Sequence, residues 1–248
     1  MQSFCVVQHT YSEFLGLIES QLERRDIGFS YFRPFVGQGL PGAVLQFDAL
    51  FLLGGAWPVT DREHCPWVDG ERELVRAFQK AQRPVVGIGF GALLVAGLAG
   101  AELSPEPAHR ACWTTARITA AGRGDPLAEA VDGRRVLVMH NGSARLPDGL
   151  DPLVVDETGE WLVVRPDANT YGILFRPELK PGMLEDIIME AGRPVPENMD
   201  ELIAVAREEW VETQRTTDRV VVALVSALSL MRPRRKPPVF TLKVEDPG

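Results

Sequence analysis

The segment Pro84-Val85-Val86-Gly87-Ile88-Gly89-Phe90-Gly91-Ala92 constrains the fold more than any other part of the chain. A short apolar run passes through a glycine-dense turn and continues into a helix-forming sequence, which is the layout of a nucleophile elbow on a parallel sheet. Such a turn holds its central residue in a backbone conformation that side chains resist, and flanking glycines let strand and helix approach closely. The central residue here is Gly89, which carries no side chain to attack anything.

Upstream, the pattern alternates between strand and helix. Phe4 to Gln8, Gly28 to Phe32, Phe47 to Leu53 and Pro84 to Ile88 read as strands, with helices predicted over Ser12 to Arg25 and Trp67 to Gln82. The stretch Ala49-Leu50-Phe51-Leu52-Leu53 is apolar without alternation, as expected of a strand covered on both faces of a parallel sheet. Downstream, shorter strand-like runs cover Thr114 to Thr119, Arg135 to Met139, Leu153 to Val155, Trp161 to Arg165 and Tyr171 to Phe175. Helices are predicted over Leu179 to Ala191, Met199 to Thr213 and Thr217 to Leu230, after which Pro233, Pro237 and Pro238 end regular structure. The expected fold is therefore α/β, a mostly parallel central sheet with helices on both faces.

The 248 residues suit one core, with residues 192–231 as a helical extension packed on the body at 1–191 and residues 232–248 as a Pro-rich basic tail. A net charge of −8 argues against a nucleic-acid surface, since that affinity rests on clustered Lys and Arg. The cluster Arg232-Pro233-Arg234-Arg235-Lys236 reads as a solvated terminal segment. No run approaches the roughly 20 apolar residues that span a bilayer, and the N-terminus lacks a secretory pattern, so the cytoplasm is the expected compartment. Cys5, Cys65 and Cys112 are odd in number and widely spaced, which fits reduced thiols.

Five ordered segments together resemble the class I glutamine amidotransferases, and in particular the small stand-alone, GMP-synthase-like members. The elbow is similar to that family's Pro-Val-Leu-Gly-Ile-Cys-Leu-Gly-Ala-Gln-Leu-Leu-Ala, with Gly89 where the family has its nucleophilic Cys and Leu93 where Gln follows. Asp48 to Gly55 is similar to its strand and Gly-Gly turn, which implies that Gly54 and Gly55 line an oxyanion site. Asp61, Pro66-Trp67 and Glu71 follow at similar spacings. Met139-His140-Asn141-Gly142, with Leu146-Pro147, resembles the Trp-His-Gly-Asp loop. Gly172-Ile173-Leu174-Phe175-Arg176-Pro177-Glu178 resembles Gly-x-Gln-Phe-His-Pro-Glu, with Arg176 at the place of the base and Glu178 at that of its orienting carboxylate. The resemblance covers about Phe4 to Ala191 and implies a flavodoxin-like architecture.

Its departures imply a loss of chemistry. In the family the thiol attacks, the imidazole takes its proton and the carboxylate orients the imidazole. A guanidinium stays protonated throughout the physiological range and accepts no proton. The leading expectation is a degenerate, non-glutaminase member that binds a ligand or a partner, such as a synthetase or pathway enzyme, with a homodimer left open. No cofactor and no metal is implied. Candidate ligand contacts are Gly54, Gly55, Phe90, His140 and Arg176, the last offering forked donors to a small anionic metabolite. The alternative is an enzyme with altered chemistry that uses His140 as substitute acid or base with Glu178 in the old cleft. Lesser candidates are Cys65 beside His64 as a nucleophile, His109 with Cys112 as metal ligands on one helical turn, and Trp57 or Trp113 as cleft walls.

Overall fold

The computed structural model describes residues 2–106, 108–190, 192 and 194–231, so the basic cluster at Arg232 to Lys236, the tail 232–248 and Ala191 at the predicted end of a helix lie outside the described residues. Four apolar runs become the parallel strands β1 (Gln2–Val7), β2 (Ile27–Phe32), β3 (Ala49–Leu52) and β4 (Val85–Ile88). The helices between them are α1 (Leu17–Glu23), after β1, and α2 (Val68–Lys80), before β4. Beyond the elbow come α3 (Phe90–Leu98), β5 (Glu102–Leu103), β6 (His109–Thr115), β7 (Arg117–Ile118), α4 (Pro126–Val131), β8 (Arg135–Asn141) and β9 (Ala144–Arg145). The chain then forms β10 (Val154–Val155), β11 (Trp161–Asp167), β12 (Thr170–Ile173), α5 (Pro181–Met189), α6 (Met199–Glu208) and α7 (Trp210–Ala227).

The main sheet has the order β2-β1-β3-β4-β12-β11-β10-β7. Its first five strands pair in parallel, and β11, β10 and β7 extend it antiparallel. β3 and β4 are buried along their whole length, so continuous apolar sequence rather than alternation is what this sheet needs. Strands β6 and β8 form a separate ribbon in full antiparallel register, joined to the body by a bridge between Val138 and Phe175. Val220, Val221 and Leu224 of α7 enter the same core as β1, β3 and β4, while α5 and α6 close a second cluster over Leu137 and Met139.

Several boundaries differ from expectation for local reasons. The predicted helix from Ser12 starts only at Leu17, because Gly16 has φ 51° and a Cβ there would lie 2.2 Å from the Glu178 carbonyl oxygen. Leu17 N–H donates to that oxygen at 2.9 Å, docking α1 onto the Arg176-Pro177-Glu178 segment. The helix break expected near Thr213 to Thr217 falls at Glu209 instead. Thr217 belongs inside α7, where its hydroxyl donates to the Pro177 carbonyl at 2.6 Å. Helix α4 was not anticipated, although Asp125 caps it by accepting from Leu127 and Ala128 N–H and Pro126 begins it.

Candidate functional site

The elbow is built as its sequence requires. Gly89 sits between β4 and α3 with φ 55° and ψ −109°, a region that residues with a Cβ rarely adopt. Its N–H donates to Ile173 O at 2.8 Å, and the Gly91 N–H donates to Leu53 O at 3.1 Å, which pins the turn between β12 and the end of β3.

Arg176 follows β12 and turns back over this elbow. Its Nε donates to Glu178 Oε1 at 2.7 Å, and Nη2 lies 2.6 Å from the same oxygen. Nη1 donates to the Met139 carbonyl at 3.0 Å and lies 2.7 Å from Glu13 Oε1. The side chains of Arg176, Glu13 and Glu178 are 1% exposed or less, so this is an interior ion cluster rather than a surface pair. A Cβ on Gly54 would meet the guanidinium at 2.3 Å, and one on Gly89 would meet Arg176 Cδ at 3.3 Å. The arginine thus fills the space between the Gly54-Gly55 turn and the elbow.

The electrostatics follow from this burial. Removal from water pushes the Glu178 carboxyl up, opposed by the Arg176 charge and its hydrogen bond. Burial disfavours charge on Arg176 too, but two carboxylates hold its pKa above the ordinary value. A desolvated pair of this kind costs several kcal/mol per ion before attraction repays it, so the arrangement is sensitive to loss of either partner.

His140, at the end of β8, is buried and apart from that ion cluster. Its Nδ1 bonds to the Gly142 carbonyl at 3.0 Å, and Nε2 is buried without a hydrogen-bond partner among the described residues. Burial first, then the positive charges of Arg110 and Arg176, lower its pKa from 6.5 to about 4 against the pull of that carbonyl. Folding therefore keeps this imidazole neutral. A histidine neutral in the fold but protonated when unfolded contributes stability that is complete above pH 6.5 and disappears as pH falls toward 4. The expected size is about 3 kcal/mol. Urea unfolding at pH 7 and pH 4 should show wild type losing about that much more stability than His140→Gln, and equal acid losses would contradict it.

The structure corrects several sequence expectations. Arg176 does not face an open cleft where it could attract a small anionic metabolite, because Glu13 and Glu178 already surround its guanidinium. Phe90 does not project into a vacated pocket: it is buried, with its ring 4.5 Å from His9 and against Gly55. Glu178 is engaged by Arg176, and His140 by the Gly142 carbonyl, so the two expected to cooperate in altered chemistry have separate partners. His109 and Cys112 lie on strand β6, where a three-residue offset sends side chains to opposite faces rather than onto one helical turn. The Cys65 thiol is pushed up to about 12, chiefly by burial and then by Glu71 and Asp61, which leaves it a poor nucleophile. His64 bonds to Asp61, not to Cys65. Trp113 packs under α6 with its indole N–H donating to the Leu202 carbonyl and lines a small pocket with Leu137 and Thr217, while Trp57 lines a different cleft, beside the loop after β1.

Two site residues had no clear sequence signal. Glu13 lay in what read as helix, and its ion pair spans most of the chain. His9 follows β1, with Nδ1 2.9 Å from the Gly54 carbonyl and Nε2 3.1 Å from Glu71 Oε1. Burial opposes its protonation, but Glu71, the Gly54 carbonyl and Glu13 outweigh it and raise the pKa. The imidazole, bonded to the Gly54 carbonyl and to Glu71, ties the Gly54-Gly55 turn to α2, which gives Glu71 a positioning role.

No protein-family model matches the chain. It is 29% identical over 190 residues to the curated glutamine amidotransferase-like protein YfeJ of Salmonella typhimurium, covering 75% of this chain and 79% of that protein. A glutamine amidotransferase from Thermotoga maritima superposes with a TM-score of 0.74 at 19% identity, over 92% of this chain and 98% of the other. One from Methylobacillus flagellatus superposes at 0.78 with 17% identity, over 96% and 99%. Among the described residues no helix is long and apolar enough to cross a membrane.

Proposed function

We propose that this chain, class I glutamine amidotransferase-like in sequence and fold, does not hydrolyse glutamine and instead serves as a ligand-binding or partner-binding subunit. The observation that supports this most is the buried Arg176 cluster, whose guanidinium lies against Gly54 and whose side chain passes beside Gly89. In the family arrangement this space must admit the substrate amide, a thiol and a neutral imidazole. Here Gly89 offers no nucleophile, and Arg176 is a permanent cation that takes no proton. Residues 192–231 act in this reading as an extension that braces the cluster, since Thr217 of α7 anchors Pro177. Ammonia release from glutamine by the purified chain is the test. Background-level release is expected, and turnover typical of active amidotransferases would refute the proposal.

A second reading, altered chemistry at His140, has one observation in its favour: Nε2 is a buried lone pair without a partner among the described residues. Its lowered pKa makes it a weak base, so the binding role is preferred.

A further inference from the structure

Strand β1 pairs with β2 on one side and with β3 on the other, so the strand order reverses there. The connections β1 to β2 and β3 to β4 run in opposite directions, and right-handed crossovers place their helices on opposite faces. The loops leaving the carboxyl ends of β1 and β3 must therefore splay apart. In open α/β sheets such a switch point is where a ligand crevice forms. A cleft of about 350 Å³ lies there, walled by Thr10 and Tyr11 after β1, by Trp57 after β3, and by Phe35 and Trp67. His9 and Ala56, which flank the Gly54-Gly55 turn, also line it.

The cleft's chemistry is aromatic, with particular polar features. His64 stacks on Trp57 with ring centroids 3.8 Å apart and planes 18° from parallel, while its Nδ1 bonds to Asp61 Oδ2 at 2.8 Å. A planar nitrogen ring thus already lies on an indole face beside a carboxylate, with its side chain 43% exposed, and a ligand ring stacks on Trp57 by taking its place. Trp67 contributes a buried Nε1–H with no hydrogen-bond partner among the described residues, a donor awaiting an acceptor. Glu190 accepts from the Tyr11 N–H at 2.9 Å and fixes that loop as one wall. Stacking faces favour any flat ring, but an unmet N–H and a carboxylate that already receives a ring nitrogen favour one bearing nitrogen acceptors and donors.

We propose that the cleft between the β1 and β3 loops binds a planar nitrogen heterocycle, stacked on Trp57. This deepens the ligand-binding reading above but reads out independently, since a chain that releases ammonia could still bind a heterocycle here. Calorimetric titration of the full chain with adenine should show saturable binding, weakened at least about ten-fold in Trp57→Ala, the loss expected from removing one stacking face. Tyr11→Ala, at a position 69% exposed and therefore safe for folding, should weaken it in the same direction. Cyclohexylamine, which lacks a flat ring, should bind far more weakly. The proposal is overturned by absence of saturable adenine binding, by unchanged affinity in both variants, or by equal affinity for cyclohexylamine.

Discussion

Arg176→Met is expected to lose about 3–5 kcal/mol of folding stability at neutral pH, because it removes the guanidinium that balances the buried charges of Glu13 and Glu178. Methionine roughly fills the arginine stem, so the loss reports charge more than volume. The pH dependence separates this cause from simple packing damage. Without the guanidinium, both carboxyls should hold protons in the fold at a pH where the unfolded chain has released them. The native variant then binds more protons than the unfolded chain, so its stability falls as pH rises and recovers as pH drops from 7.5 toward 5. Urea unfolding of wild type and variant at both pH values checks this. A loss below about 1 kcal/mol, or one that does not shrink on acidification, would show that the cluster contributes little. Glu178→Gln combined with Arg176→Met should recover part of the loss, since it removes one stranded charge.

The second large effect concerns the elbow. Gly89→Cys alone is expected to release no ammonia from glutamine, because its Cβ would lie 3.3 Å from Arg176 Cδ and no base stands beside it. Gly89→Cys with Arg176→His restores a nucleophile and a proton acceptor next to Glu178. Ammonia release in the double variant is expected to exceed wild type by at least about 100-fold, the scale of a positioned general base. Because nucleophile and base act as a unit, neither change alone should give a comparable gain. A single Gly89→Cys variant as active as the double would mean that Arg176 does not obstruct the site.

Much of the fold is legible in the residues because it depends on local pattern. The unbroken apolar runs at Ala49 to Leu53 and Pro84 to Ile88, and the glycines around position 89, specify buried parallel strands and the turn between strand and helix. Asp125-Pro126 was equally legible as the start of α4, and only the shortness of that helix hid it. The break between α6 and α7 was not local: Thr216 and Thr217, where the break was expected, are buried, and Thr217 satisfies its hydroxyl on Pro177.

The candidate site was legible as positions but not as contacts. Gly89, Arg176 and Glu178 stand out along the chain, yet nothing in the sequence says that Glu13 reaches Arg176 or that His9 reaches Glu71. Those pairs are 163 and 62 residues apart and meet only because the parallel pairing of β1, β3, β4 and β12 brings the carboxyl ends of those strands to one edge of the sheet. The burial that turns Arg176 from an anion receptor into an interior cation likewise belongs to the tertiary packing.

Intact-mass measurement after incubation with a glutamine-shaped chloroketone checks the proposed absence of a thiolate that can meet a glutamine carbonyl. No adduct that glutamine suppresses is expected, since position 89 has no side chain, the Cys5 and Cys65 thiols are buried and pushed up to about 12, and the half-buried Cys112 stands on β6 rather than at the elbow. A stoichiometric adduct that glutamine protects against would contradict it.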